Sequence, residues 1–118
     1  MIDQNRKYDL EDFFSCRKGQ KLCLRLPKNV ANAQYIPQLI RARSSRGANY
    51  IEANERIGDK DFKMKIKTCG RESKESAYWL RLVITDGSKE MKDERNYLRQ
   101  EARELNLIFS AILKKRRE

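Results

Sequence analysis

Eight cations of this chain, Arg17, Lys18, Lys21, Arg25, Lys28, Arg41, Arg43 and Arg46, fall between Asp12 and Glu52 with no carboxylate among them. Lysine and arginine neutralise phosphates and release the counterions condensed on them, so an acid-free basic tract is an electrostatic footprint for nucleic acid. Arg17, Lys21, Arg25 and Lys28 recur at steps of four, four and three, which stacks them on a single helical face. No helix-turn-helix, zinc finger or single-strand platform accompanies them, so the expected contact is with RNA or DNA backbone rather than with bases. A plainer reading gives the same tract a role in solubility or in docking an acidic protein partner. A second chemistry is suggested by three Glu-x-x-Glu pairs, Glu52/Glu55, Glu72/Glu75 and Glu101/Glu104, each setting two carboxylates one helical turn apart.

What the chain lacks narrows the field. With no histidine it cannot run Ser-His-Asp or Cys-His catalysis, and the commonest metal ligand is missing, including the Glu-x-x-His of di-iron bundles. Cys16, Cys23 and Cys69 form no C-x-x-C pair and are odd in number, which argues against a disulfide framework or a zinc site. We therefore expect no metal, no cofactor and no catalytic residue. No apolar run approaches the roughly 18 residues of a membrane span, and the first ten residues are too polar for a signal peptide. The expectation is a cytoplasmic protein that does not engage membranes.

The chain has 118 residues, one domain's worth, with 27 Lys+Arg against 17 Asp+Glu for a net charge of +10. The tract contributes +8, leaving 19 basic and 17 acidic residues, or +2, for the rest. Five glycines and two prolines punctuate four helical segments, at about 9–26, 36–54, 60–85 and 89–115. In the first, Asp9 is a plausible N-cap and Tyr8, Cys16, Gly19, Leu22, Cys23 and Leu26 share one arc. Phe14 and Leu24 fall among the cations. A loop over 28–35 should lead into the second helix, with Pro37 in its first turn and Ile40, Ser44, Gly47, Ala48 and Ile51 forming a small-residue face. Its Arg41, Ser45, Asn49 and Glu52 share a polar strip, read as a structural polar layer between helices. Asp59 can cap the third helix, whose stripe runs through Phe62, Ile66, Cys69, Ser73, Ser76, Leu80 and Val83, with Tyr78 and Trp79 beside it as packing rather than a base-stacking platform. After the Asp86-Gly87-Ser88 turn, Met91, Leu98, Ala102, Leu105, Phe109 and Ile112 form the fourth stripe, and the basic end at 114–117 should fray. Four amphipathic helices with short connections predict an all-α, antiparallel up-down four-helix bundle.

The last two helices sort their charges. Lys60, Lys63, Lys67, Arg71, Lys74 and Arg81 occupy one flank of the third, opposite Asp61, Glu72 and Glu75, with Lys65 the exception. Lys92, Arg95, Arg99 and Arg103 occupy one flank of the fourth, opposite Glu90, Asp93, Glu94, Glu101 and Glu104. Solvation and intrahelical pairing would account for this. Complementary edges that dock neighbouring copies head to tail would do so too, and such contacts close into a ring.

The runs Leu26-Pro27-Lys28-Asn29, Gln38-Leu39-Ile40-Arg41, Gly47-Ala48-Asn49-Tyr50-Ile51-Glu52-Ala53-Asn54-Glu55, Lys60-Asp61-Phe62, Glu75-Ser76 and Tyr78-Trp79-Leu80-Arg81-Leu82 resemble the bacterial four-helix-bundle family of 23S rRNA intervening-sequence proteins. The resemblance spans about residues 8–115. It implies a four-helix bundle assembling into a homopentameric ring, without enzymatic activity. Relatives include the accessory variability determinant of diversity-generating retroelements, a basic pentamer that binds nucleic acid and a reverse transcriptase. Two departures stand out. Arg46 takes a position where the family carries an apolar residue, and Gly19 with Gln20 interrupts a first helix that is normally continuous. A more distant likeness, of Glu52-x-x-Glu55 and Glu72-x-x-Glu75 to the all-α nucleoside triphosphate pyrophosphohydrolases, would make the chain a magnesium-dependent enzyme instead.

Overall fold

The computed structural model describes residues 16–55 and 58–117. The expectations placed on Tyr8, Asp9, Asp12 and Phe14, including where the first helix starts, lie outside the described residues. Four helices pack together, and the described residues contain no strand: 16–25 (α1), Val30–Glu55 (α2), Asp59–Leu82 (α3) and Lys89–Arg117 (α4). At a rise of about 1.5 Å per residue the 29 residues of α4 span roughly 44 Å, close to the 46 Å long axis of the molecule.

Helix α2 begins before the expected loop has ended. The Asn29 side-chain oxygen accepts the Asn32 backbone N–H at 2.8 Å, an N-cap bond that starts the helix at Val30 and leaves Pro37 in its interior. Pro37 removes only the bond to the Ala33 carbonyl, and both residues are exposed, where water can satisfy that oxygen. Asn32 is 1% exposed; its amide donates to the Pro27 and Ile84 carbonyls at 2.9 Å and its oxygen accepts Ile84 N–H at 2.9 Å. One side chain thus ties the α1–α2 connection to the chain leaving α3. Asp59 does not cap α3: Gly58 holds that position with no side-chain bond, and Asp59 pairs with Lys63 and Arg116 at 3.1 Å. Between α3 and α4, Gly87 takes φ +86°, a left-handed conformation that suits glycine, and Ser88 Oγ accepts Met91 N–H at 3.2 Å as the cap of α4. The basic end is helical rather than frayed, held where Arg116 pairs with Asp59 and lies 4.4 Å from the Phe62 ring centroid.

The core is divided. Leu22, Cys23, Leu26, Leu39, Leu80, Val83, Met91 and Leu98 form one apolar cluster, with Trp79 and Tyr35 packed against it. Tyr50, Ala53, Phe62, Ile66, Cys69, Leu105 and Phe109 form the other. Between them in helix register lie Arg43, Arg46, Ser73 and Ser76, all buried, with Arg46 fully enclosed. The helix expected to be interrupted at Gly19 is continuous there. A Cβ on Gly19 would stand 2.2 Å from Arg43 Nε, so this glycine opens the space between α1 and α2 that the buried arginine fills. The small-residue face expected inside α2 points outward instead: Ile40 and Ile51 are exposed, as are Ser44 and Ala48. The buried stripe of α2 is Leu39, Arg43, Arg46, Tyr50 and Ala53.

Candidate nucleic-acid interface

Within the acid-free tract, position decides what each cation can do. Arg43 and Arg46, 3% and 0% exposed, are core residues and cannot reach a phosphate outside the bundle, which corrects their assignment to a surface. Arg25 reaches α4, where its guanidinium meets both carboxylate oxygens of Glu94, one of them at 3.0 Å. Arg41 spans to α3, donating to Glu72 at 3.1 Å and also to Glu75. Lys18 sits over the Tyr97 ring, 4.8 Å from its centroid, and stays exposed. Arg17, Lys21 and Lys28 are exposed along the α1 edge. Arg17, Lys18, Lys21 and Lys28 thus hold exposed positions on that edge.

The polar strip of α2 lies along its seam with α3. Arg41 and Glu52 both reach that helix, Glu52 to Lys65 at 3.6 Å, while the Asn49 amide donates to the Ser45 carbonyl at 2.8 Å and to its hydroxyl at 3.2 Å. Hydrogen bonding to Arg41 holds the Glu75 carboxyl below its ordinary value, and Arg25 does the same for Glu94. The pairs considered for magnesium are thus bound by cations of the chain: Glu72/Glu75 by Arg41, and Glu52 by Lys65. No group of three or more Cys, Asp or Glu among the described residues could hold a metal ion. Trp79 donates its indole N–H to Glu75 at 3.3 Å and packs against Tyr35 and Tyr78, so it is not presented as a stacking platform. Burial raises the pKa of Cys23 and outweighs the opposing charge of Arg43.

These contacts explain the sorted flanks from within one chain. Acidic residues of α3 face α2, where Arg41 binds Glu72 and Glu75; the Glu94 side of α4 faces α1, where Arg25 and Lys18 dock. The basic flanks are left to meet each other on the far side of the hairpin. There, Gly70 of α3 approaches Asn106 and Phe109 of α4, and Arg81, Arg95, Arg99 and Arg103 gather along the same seam. Among the described residues none of these four arginines has a carboxylate partner. The sequence recorded both flanks as opposed by acid. Their antiparallel juxtaposition was the available signal, and it requires knowing which flank of each helix faces the other.

The fold is similar to that of a solved protein of unknown function from the S23 ribosomal protein family of Bacteroides thetaiotaomicron. The TM-score is 0.61 at 23% identity, over 95% of this chain and 96% of that one. At that identity the likeness is one of fold. No protein-family model matches the chain, and no curated protein does. Among the described residues no helix is long and apolar enough to cross a membrane.

Proposed function

We propose that this chain is a non-catalytic bundle that binds the backbone of RNA or DNA, serving as a scaffold for a ribonucleoprotein. The observation that carries the reading is where the carboxylates go. Glu72, Glu75 and Glu94 are drawn into contacts between helices, so cations dominate both the α1 edge and the outer α3–α4 seam. Such a surface attracts polyanions over a Debye length without reading sequence. Membership of the 23S rRNA intervening-sequence family is supported by the fold likeness, almost end to end, together with the Gly47–Ala53 and Tyr78–Leu82 blocks. A homopentameric ring is supported by exposed apolar side chains on α1 and α2: Leu24 at 78%, Val30 at 86% and Ile51 at 59%.

Binding of labelled RNA and of duplex DNA, measured by fluorescence anisotropy, tests the reading. Lys21→Glu with Lys28→Glu should weaken binding several-fold for all sequences alike, because phosphate contacts carry no base information. A protein that binds neither nucleic acid, or discriminates strongly between sequences, contradicts it.

A further inference from the structure

The outer seam of the α3–α4 hairpin holds a feature that the basic tract does not. Arg95, Arg99 and Arg103 are four residues apart on α4, about 6 Å of rise and about 40° of turn per step, so they follow one another in a row that winds slowly round the helix. Arg81 joins them from α3: the two helices run antiparallel and Gly70 stands against Asn106, which sets residue 81 near 95, and the charge of Arg81 acts on Arg99. Lys74, seven residues before Arg81, continues the same face of α3.

The row is built against like-charge repulsion. Burial, then the charges of Arg103, Arg81 and Arg95, lower the pKa of Arg99, which stays a cation at neutral pH. Its Nε is buried without a hydrogen-bond partner among the described residues. Arg95 donates its Nε at 3.2 Å to the neutral amide oxygen of Asn96. Arginines four residues apart repel and destabilise a helix, and a buried donor left unmade costs more. The repulsion falls when anionic oxygens lie between the guanidinium groups. Neighbouring bidentate donors at a regular spacing suit successive phosphates of an extended strand, whereas a single small anion would engage only part of the row.

We propose that Arg81, Arg95, Arg99 and Arg103 form a phosphodiester-binding row that grips the backbone of a nucleic-acid strand along the α3–α4 seam. The inference rests on the nucleic-acid reading above and differs from it in location: the principal grip is on the α3–α4 hairpin rather than on the acid-free tract.

The test compares the intact chain with Arg99→Gln/Arg103→Gln and with Arg99→Lys/Arg103→Lys, using a labelled uridine homopolymer at several salt concentrations. In parallel, thermal unfolding is followed with and without inorganic polyphosphate. The glutamine pair should bind about tenfold or more weakly, and its logarithmic salt slope should fall by about 1.4, roughly 0.7 for each lost contact on a single strand. The lysine pair should keep the slope while losing affinity, because charge is retained and the bidentate fork is not. Since the substitutions relieve repulsion, the glutamine pair should melt no lower than the parent without ligand. If RNA binds and the glutamine pair binds it as the parent does, the row is overturned and the nucleic-acid reading stands. If RNA does not bind but polyphosphate raises the melting temperature of the parent and not of the glutamine pair, the row is a phosphate site and the nucleic-acid reading fails. If neither ligand acts, both fail.

Discussion

Arg43 and Arg46 occupy positions where a helical bundle ordinarily places a methyl group. Taking a guanidinium out of water costs several kcal/mol unless geometry compensates, so space around such a group is not negotiable. Gly19 supplies that space. We predict that Gly19→Ala lowers the melting temperature: the added Cβ would lie 2.2 Å from a buried group, and overpacking of about 1–3 kcal/mol exceeds the roughly 1 kcal/mol of helix propensity gained. Gly70→Ala should raise it, because its new Cβ would come no closer than 3.4 Å to Asn106 and the propensity gain is kept. Thermal unfolding by circular dichroism checks both. Much of this was readable from residue order. Leu39, Arg43, Arg46, Tyr50 and Ala53 follow a perfect four-three spacing, but the charge on two of them directs attention to the other face of α2, where Ile40 and Ile51 prove exposed. Hydropathy assigns a residue its preference; only packing reveals that a neighbour has made room for an exception.

At the level of helices, periodicity identified the stripes of α3 and α4 and the turn at Gly87 because each rests on local chemistry. The start of α2 was hidden, since Pro37 signals a first turn as strongly as Asn29 signals a cap, and only the Asn29–Asn32 bond chooses between them. The flanks were legible as sorted and illegible in purpose. Arg25 binds Glu94 and Arg41 binds Glu72 and Glu75 on their acidic sides, and this has a pH signature. Glu75 and Glu94 titrate below their ordinary 4.5 when folded, so the stability they contribute is complete above that value and is lost as pH falls through the depressed folded values. The chain should therefore become easier to denature with urea between about pH 5 and pH 3, and a Glu75→Gln/Glu94→Gln variant should show a shallower decline over that range. An equally steep decline in the variant would assign the acid sensitivity elsewhere.

For the whole molecule, a net charge of +10 acquires direction. The tract that holds most of the excess spends half of its cations inside the bundle or on its own carboxylates: Arg43 and Arg46 in the core, Arg25 and Arg41 in ion pairs. The α3–α4 hairpin, in return, presents its basic flanks outward. Self-association belongs to this scale as well. Because Glu72, Glu75 and Glu94 are already bound within one chain, we expect a ring to close on the exposed apolar residues of α1 and α2 rather than on complementary edges. Light scattering over a range of concentrations should then give a fixed mass several times that of the 14.0 kDa chain, insensitive to salt and lowered by Leu24→Glu. A salt-labile assembly would restore the charged edges as the contact.

The most direct measurement is the salt dependence of nucleic-acid binding by the intact chain. The account predicts that the logarithm of the association constant falls linearly with the logarithm of salt concentration, by about 0.7 per phosphate contact on a single strand and about 0.9 on a duplex, whatever the base sequence. A flat salt response, or the absence of binding at low salt, contradicts it.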